Sequence, residues 1–479
     1  MTVPTRAAHL EHLDAQLAQN PDAIEPRYAR ASLLREAGRT EEAKRDYLAL
    51  LRRAPAHFGA LNDFGTMLLA TGYRDAARTV FEQAVRHHPD QPSGHVNLAN
   101  LLFKLDEIAP ARAHFEAALR LNPAHVHAHR GLGNLLAELG DESGARAHRD
   151  RGFRGHAVTT LPYYGDASPV SVLLLVSALG GNIPTDALLD ERIFQTTVLA
   201  TEYADIQAAP PPHDVLFNSI GDADLCGEGL AAAQAIVACT ARPVINDPSV
   251  VLGTGRLANA ERLRGLWDVL VPRMANVARD LLLGPHAATD LSTRGFRFPL
   301  LLRAPGFHTG QHFARVERAG DLAAAARALP GRDIWAIEPL DARGADGKFR
   351  KYRAMFVAGR LYPLHLAISG HWKVHYFTAE MAESAAHRRE DEAFLADMPA
   401  VIGGRGMAAL ERVAAALDLD YGGIDFALGP AGEILFFEAN AAMVVTPPTD
   451  DARWAYRRPA VARVIAAVRE MLIERAHAQ

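Results

Sequence analysis

The first third of the chain repeats one arrangement of apolar and helix-ending residues every 34 positions. The prolines at 21, 55, 89 and 123 are 34 residues apart each time (55 − 21, 89 − 55 and 123 − 89). The same step separates small and aromatic residues: Ala43, Ala77, Ala111 and Ala145, and Tyr47, Phe81 and Phe115. Alanine lets two helices approach, an aromatic ring fills the gap between them, and proline ends the second helix. The pattern therefore predicts a stack of helix pairs.

A 34-residue period with these residue types resembles the tetratricopeptide repeat. The resemblance covers about residues 20–155, and we predict an all-α superhelical domain at 1–155. In the fourth copy Arg149 replaces the aromatic residue and Gly152 follows it, which indicates the end of the array.

A repeat array of this kind implies a groove lined by the first helix of each pair. Four polar residues fall at predicted groove positions: Asn62, Asn100, Arg130 and Asn134. Asparagines one repeat apart can hydrogen-bond both the N–H and the C=O of an extended peptide. We therefore expect the groove to bind a peptide or protein, although each residue taken alone is equally consistent with a solvated surface.

Beyond a Gly- and Pro-containing linker at 156–168, the apolar pattern changes from helical to extended. We predict strands at 170–176, 213–219 and 242–246, and helices at 186–203 and 228–240. Strands alternating with helices indicate a small doubly wound α/β sheet, which we place at residues 169–255.

The stretch 421–440 predicts a β-hairpin with a turn of Gly and Pro residues at 429–432. Asp425 lies in its first strand, and Glu438 and Asn440 end the second. Residues two apart on a strand share a face, so Glu438 and Asn440 point together and the hairpin brings Asp425 beside them. Two carboxylates and an amide oxygen suit Mg²⁺ held with nucleotide phosphates.

A strand Asp followed by Glu-x-Asn resembles the end of the ATP-grasp signature. Upstream segments occur in the order of that family: the loop with Asn246 and Arg256, a strand ending at Arg303, a Gly-containing loop, and later strands. The resemblance covers about residues 169–450. It implies a multidomain chain in which a pre-ATP-grasp α/β domain precedes an α+β ATP-grasp domain at 256–479.

The resemblance also implies roles for individual residues. Arg303, in place of the usual Lys, and Arg353 would contact ATP phosphates and stabilise the transferred phosphoryl group. Lys351 shares a strand face with Arg353. The remaining implied nucleotide contacts are His308, Thr309, Gly310 and His312 on the loop and Glu338 and Leu340 at the adenine.

The usual reaction of the family joins a carboxylate to an amine through an acyl phosphate, with ATP and Mg²⁺. The sequence leaves two alternatives open. One is a small-molecule kinase that uses the same fold, and the other is a non-catalytic repeat scaffold with a relic grasp domain. Hydroxylamine trapping would separate ligase from kinase, and ATP binding would separate enzyme from scaffold.

Composition narrows the classes of partner. The 479 residues exceed what one core supports, so about three domains are expected. A net charge of −5 favours neither nucleic acid nor an anionic membrane. The only two cysteines, Cys226 and Cys239, form no disulfide framework. Because no signal-peptide pattern or membrane-length apolar run occurs, the sequence predicts a soluble cytoplasmic protein.

Overall fold

The computed structural model describes residues 6–307, 310–375, 379–449 and 451–478. The chain forms two compact units. The first comprises residues 1–169 with 191–193, and the second comprises residues 170–190 with 194–479. None of the helices in the described ranges is long and apolar enough to cross a membrane.

The first unit is a run of antiparallel helices. They are α1 (Arg6–Gln19), α2 (Ile24–Glu36), α3 (Thr40–Arg53), α4 (Phe58–Ala70), α5 (Arg74–His87), α6 (Pro92–Lys104), α7 (Ile108–Leu121), α8 (Val126–Glu138) and α9 (Glu142–Phe153). A short strand, β1 (Val158–Thr160), follows. The predicted helix pairs are confirmed as α2–α3, α4–α5, α6–α7 and α8–α9, which make the largest helix–helix contacts of the unit.

The periodic residues form the core of this unit. The four alanines of the 34-residue pattern are fully buried, and Tyr47, Phe81 and Phe115 are at most 1% exposed. Gly65 on α4 lies against the ring of Phe81 on α5, so closely that a Cβ would be 2.5 Å from the ring. The aromatic ring thus fills the space between two helices, as the sequence pattern predicts.

The second unit begins with a parallel sheet. Its strands β2 (Val170–Val176), β3 (Phe194–Ala200), β4 (Val215–Asn218) and β5 (Val244–Ile245) are ordered β3-β2-β4-β5, and α10 (Gly227–Val237) joins the last two. The helix predicted at 186–203 is wrong, because β3 and a 3-10 turn at Thr201–Tyr203 occupy most of that range. Thr196, Thr197 and Val198 are β-branched, and pairing of all seven residues of β3 with β2 overrides the helical pattern.

Helices α11 (Pro248–Leu252) and α12 (Arg256–Leu263) and strand β6 (Val269–Leu270) lead to a second sheet. This sheet is antiparallel, in the order β7-β10-β8-β9. Its strands and accompanying helices are β7 (Met274–Ala278), α13 (Arg279–Leu283), α14 (Ala287–Thr293), β8 (Leu300–Arg303), β9 (Phe313–Val316), α15 (Leu322–Ala328) and β10 (Asp333–Ile337). The predicted strand that ends at Arg303 is confirmed as β8.

A third sheet carries the predicted hairpin and has the order β12-β11-β13-β14-β6. Its remaining strands are β11 (Phe349–Val357), β12 (Arg360–Ser369), β13 (Tyr421–Leu428) and β14 (Ile434–Asn440). The helices that follow or cover it are α16 (Ala385–Ala396), α17 (Met398–Leu417) and α18 (Arg458–His477). The backbone of α17 is interrupted at Gly403, where φ is 76°.

Candidate functional site

Strands β13 and β14 form the antiparallel hairpin that the sequence predicts. Gly429 donates its N–H to the carbonyl oxygen of Glu433 (2.8 Å), and Gly432 takes a positive φ of 83°, which closes the turn. Asp425 lies directly opposite Glu438, with a register irregularity just after Asp425. The pairing therefore brings the two carboxylate-bearing positions onto neighbouring strands.

Glu438 and Asn440 lie together at the end of β14. The Asn440 Nδ2 donates to Glu438 Oε1 (3.1 Å), and Asn440 Oδ1 accepts the N–H of Ala442 (3.0 Å). Glu438 Oε2 lies 2.6 Å from an Arg256 guanidinium nitrogen. Burial alone would raise the pKa of Glu438, but Arg256 and then Arg303 lower it to about 2, so the side chain is a carboxylate at neutral pH.

Asp425 is enclosed by two cations from β11. Its carboxylate accepts from Arg353 Nε (2.6 Å) and Nη2 (2.9 Å) and from Lys351 Nζ (3.0 Å). The Asp425 side chain is 3% exposed, and Lys351 and Arg353 are 16% and 21% exposed. Burial alone would raise the pKa of Asp425, but Arg353 and Lys351 hold it well below its usual range.

Arg303 ends β8 beside the same hairpin. Its Nη2 donates to the carbonyl oxygen of Phe307 (2.7 Å), and its guanidinium lies 5.5 Å from the ring centre of Phe313. Burial, followed by the nearby Arg256, lowers the pKa of Arg303 to about 10, and the side chain remains a cation at neutral pH. The structure thus places a partly buried cation at the end of β8, and the predicted contact of Arg303 with phosphate stays a prediction.

Arg303, Glu438 and Asn440 line one pocket together with charged residues from two other segments. The pocket is lined by Gly221, Asp222, Ala223, Asp224, Thr254, Arg256, Asn259, Arg303, Gly306, Phe307, Trp335, Phe436, Glu438, Ala439 and Asn440. Asp224 accepts the backbone N–H of Arg256 (2.9 Å), and burial raises the pKa of Asp224. Two guanidinium groups and three carboxylates therefore surround a single space, and the two guanidinium groups suit a ligand with phosphate groups.

The Gly-containing loop after β8 is only partly described. His308 and Thr309 lie outside the described residues. Gly310 has a φ of 75°, and its carbonyl oxygen accepts from Lys373 Nζ (3.2 Å). His312 packs edge-on against Phe307 with ring centres 4.3 Å apart, and its carbonyl oxygen accepts the N–H of Ala304 (3.0 Å). These contacts hold the two ends of the loop together beside Arg303.

Glu338 and Leu340 are not among the described residues that line the pocket. Glu338 is exposed, and its carboxylate accepts the backbone N–H of Arg273 (3.2 Å). Leu340 packs against a small apolar cluster with Ala342, Ala427 and Leu435. The structure does not bring these two residues together with Arg303, and their implied adenine contacts stay a prediction.

The predicted groove residues of the first unit differ in what they contact. Asn134 is exposed and Asn100 is half-buried, while Asn62 Oδ1 accepts from Asn97 Nδ2 (2.6 Å). Arg130 donates to the carbonyl oxygens of Gly152 (2.9 Å) and His156 (2.6 Å), and its guanidinium lies 4.4 Å from the ring centre of Phe153. The contacts of Arg130 therefore stabilise the end of the helical array.

Sequence reasoning missed several residues of these sites. Arg256 was named only as part of a loop that occurs in the order of the ATP-grasp family, although it binds Glu438 directly. Asp222 and Asp224 carried no motif, and their place in the pocket depends on the loop after β4 meeting β14. In the repeats, Asn97 lies one residue beyond position 96, which is 34 residues after Asn62. A search that allowed the period to shift by one residue could have found it.

Within the described ranges, no group of three or more His, Cys, Asp or Glu side chains is placed to hold a metal ion.

A family model described as tetratricopeptide repeat matches residues 28–92 and 96–151. Together with the four helix pairs, this match shows that the N-terminal region consists of tetratricopeptide repeats. No curated protein matches the chain.

Similar solved structures match about 30% of the chain. MamA 41-end from Desulfovibrio magneticus RS-1 is 22% identical, with 30% of this chain and 81% of that chain covered and a TM-score of 0.28. YrrB, described as a TPR protein with an unusual peptide-binding site, is 22% identical over 30% of this chain and 74% of that chain (TM-score 0.28). A thermophilic TPR protein in Thermus thermophilus, TTC0263, is 22% identical over 31% of this chain and 81% of that chain (TM-score 0.27).

Proposed function

We propose that the second unit is an ATP- and Mg²⁺-dependent ligase of the ATP-grasp type, and that the repeats recruit a peptide or protein. The observation that carries the proposal is the convergence of Arg256 and Arg303 with Glu438 and Asn440 in one pocket. These side chains come from α12, β8 and β14, and they combine phosphate-binding cations with oxygen ligands. An antiparallel four-stranded sheet beside a second sheet that carries the Glu-x-Asn hairpin supports the same proposal.

The fit to a magnesium ion differs among the three predicted ligands. Glu438 and Asn440 fit, because they share a strand face and both line the pocket; Asn440 would bind through Oδ1, which accepts the N–H of Ala442 in this structure. Asp425 already accepts three hydrogen bonds from two cations, and it is almost fully buried. Bound Mg²⁺ would neutralise phosphate charge and orient the phosphate groups for in-line transfer.

The chemistry asks the protein mainly to position reactants and to balance charge. A carboxylate oxygen of the substrate bonds to the γ-phosphorus of ATP, and the bond to ADP breaks. An amine nitrogen then bonds to the acyl carbon, phosphate leaves with the bonding electrons, and the nitrogen loses a proton. Arg303 would bind phosphate oxygens through its planar guanidinium, and Arg256 orients the Glu438 carboxylate.

Calorimetric titration of the full chain with ATP, with and without Mg²⁺, tests this proposal. We expect saturable binding that Mg²⁺ strengthens, and we expect Glu438→Gln to remove most of the Mg²⁺ effect while the fold is kept. Once a substrate is found, hydroxylamine should trap an acyl phosphate, whereas a stable phosphoester would identify a kinase. Absence of any nucleotide binding would overturn the enzyme proposal.

A non-catalytic scaffold is the second candidate, and one observation favours it. The family match covers the repeats, and arrays of such repeats present extended concave surfaces for binding. Under this reading the repeats alone would act, by binding a partner.

The recruiting role of the repeats has its own test in the full chain. Asn100→Ala with Asn134→Ala should abolish capture of a partner protein by the immobilised chain. Gln83→Ala, which removes an exposed amide from α5, serves as the matched control and should leave capture intact. Equal capture by both variants would exclude the asparagine groove. A concentration-dependent dimer in light scattering, with no captured partner, would favour self-association instead.

A further inference from the structure

The buried carboxylate of Asp425 lies between the side chains of two basic residues on the neighbouring strand. Arg353 is its cross-strand partner on β11 and binds it side-on through Nε and Nη2. Lys351, two residues earlier on the same face, binds Oδ2 at 3.0 Å. Both carboxylate oxygens thus accept charged hydrogen bonds, which are the strongest kind in proteins.

A divalent cation at Asp425 would face these two positive charges at short range. Like charges a few ångströms apart in a buried site repel strongly, because little water screens them. Metal binding at Asp425 would therefore require that Arg353 and Lys351 move away first. Glu438 and Asn440, in contrast, line the pocket; Glu438 has a direct ion pair with Arg256 alone, and Arg303 is a second cation in the same pocket.

The cluster retains one positive charge after Asp425 is counted. The side-on contact leaves both protons of Arg353 Nη1 outside the Asp425 interaction, and Lys351 Nζ has three protons of which this contact uses one. Both cations are partly exposed, at 21% and 16%, so part of each side chain is open to a ligand. Burial, followed by Lys351 and Arg353, lowers the pKa of His375, so this side chain adds no further positive charge at neutral pH. Such a pair suits an anion with several oxygens.

We propose that Asp425 is a positioning residue that holds Arg353 and Lys351 as a binding pair for phosphate groups, and that Glu438 and Asn440 hold the metal without it. This inference rests on the proposed function, whose nucleotide supplies the phosphates. Of the three predicted metal ligands, Glu438 and Asn440 thus remain ligands, whereas Asp425 instead holds the two basic side chains in place. We call Asp425 the anchor of this pair.

The first test compares Asp425→Asn with Glu438→Gln in the full chain. Removal of the anchor should weaken ATP binding measured without Mg²⁺ by about tenfold, the effect of losing one hydrogen bond to a charged group. The Mg²⁺ concentration that gives half of the full increase in ATP affinity should stay at the wild-type value in Asp425→Asn and rise in Glu438→Gln. A rise in Asp425→Asn as large as that in Glu438→Gln would overturn the inference, as would unchanged affinity without Mg²⁺.

A double-mutant cycle shows whether Asp425 acts through its partner. Arg353→Ala should weaken Mg²⁺-free ATP binding at least as much as Asp425→Asn does. Adding Asp425→Asn to Arg353→Ala should then cost clearly less than it does in the wild type, because the group that it positions is already gone. Fully additive losses would contradict a positioning role.

Two further measurements test the role of Asp425 even if Asp425→Asn does not fold or the protein does not bind ATP. If Asp425→Asn alone does not fold, Lys351→Met with Asp425→Asn retains the original net charge of the cluster and takes its place in the Mg²⁺ titration. If the wild type binds no ATP, the proposed function fails, and pyrophosphate becomes the probe. Pyrophosphate binding that Arg353→Ala and Asp425→Asn both weaken would support the anchor, and absence of such binding would overturn it.

Discussion

The two units bury polar side chains in different ways. In the repeats, partly buried polar contacts join the two helices of one pair, between residues 19 positions apart: Arg27 with Asp46 (3.1 Å), His95 with His114 (3.0 Å) and His129 with His148 (2.9 Å). In the second unit, they join segments that are far apart in the sequence, as between Asp425 and Arg353 or Asp391 and Arg457. We therefore expect the second unit to be sensitive to the loss of one partner and the third and fourth repeats to be sensitive to pH.

The three contacts in the repeats occupy one equivalent position. Shifting Arg27 and Asp46 by 34 residues gives Leu61 and Val80, then the His95 pair, then the His129 pair. The same place between two helices thus accepts an ion pair, an apolar pair or two imidazoles. The array tolerates this exchange because each repeat contacts only its neighbours, so the change stays local.

The largest effect should come from breaking the Asp391 cluster. Asp391 is fully buried and accepts from Arg457 Nε (2.6 Å), Tyr456 (2.6 Å) and the N–H of Leu366 (2.7 Å). Asp391→Ala should lower the free energy of unfolding by about 3–5 kcal/mol, since a buried guanidinium loses its carboxylate. Denaturant unfolding measures this.

Asp341→Ala is the matched control for that prediction. It removes a carboxylate from an ion pair with Arg343 (2.6 Å) in which both side chains are more than half exposed. Water already screens such a pair, so stability should not change measurably. Equal losses in the two variants would contradict the contrast between buried and exposed ion pairs.

Arg303 should show the next largest effect, on ligand binding. Arg303→Ala should weaken ATP binding by about 1.5–3 kcal/mol, the range for a hydrogen bond to a charged group. Arg303→Lys should be milder, because it keeps the cation and loses only the planar fork. Arg327→Ala removes an exposed cation from α15 and serves as the control. Calorimetry that finds wild-type affinity in Arg303→Ala would exclude the phosphate contact.

The repeat architecture could be predicted because its signal is local. Alanine, aromatic and proline residues at a fixed step define both helices of each pair, and tertiary contacts agree with that pattern. The hairpin was equally accessible, since its turn and two strands are contiguous. The helix prediction for residues 186–203 was wrong because the apolar residues there fit a helix as well as a strand. Only pairing with β2 selects the strand.

The candidate site could be predicted only in part, for the same reason. Glu438 and Asn440 share a face by local geometry, which sequence spacing contains. The ion pair of Arg256 with Glu438 and the enclosure of Asp425 by Lys351 and Arg353 depend on which strands become neighbours. A sequence pattern predicts where strands lie along the chain but not which strands become neighbours in a sheet. These contacts were therefore missed.

A smaller effect should follow from filling the space beside Phe81. A Cβ at Gly65 would lie 2.5 Å from the Phe81 ring, which is only 1% exposed and has no room to retreat. Gly65→Ala should therefore destabilise the repeats by about 1–3 kcal/mol. At Gly94 a Cβ would meet Phe58 at 3.4 Å, so Gly94→Ala should be neutral or stabilising by up to about 1 kcal/mol. Thermal unfolding of both variants measures the difference, and identical shifts would contradict the packing argument.

The paired histidines provide the last prediction, which concerns pH. His95 Nε2 lies 3.0 Å from the carbonyl oxygen of Pro89, which can only accept, so this nitrogen must donate. In the neutral ring Nδ1 is then an acceptor, and His114 Nδ1 donates to it. The His129–His148 pair repeats this arrangement with Pro123. A second proton on His114 or His148 would therefore go to Nε2, where burial opposes the charge.

The sign of the pH effect follows from the groups around each pair. Burial and then His95 lower the pKa of His114, against an opposing effect of Glu82. Burial, His129 and Arg151 lower the pKa of His148, against Glu116 and Asp141. A lowered folded-state pKa means that the unfolded chain binds more protons, so stability is present above the ordinary histidine pKa of about 6.5. It is lost as the pH falls through the lowered value.

Hydrogen exchange of α6–α9 in the full chain, compared at about pH 7.5 and pH 5.5 on either side of the ordinary histidine pKa, measures this loss. Protection should fall at the lower pH. His95→Leu with His114→Val installs the Leu61–Val80 pair of the second repeat, so it should reduce that fall in α6 and α7 without affecting α8 and α9. His9→Gln changes an exposed histidine of α1 and should leave the pH response as it is. If the double substitution leaves the response of α6 and α7 intact, the histidine pairs are not its cause.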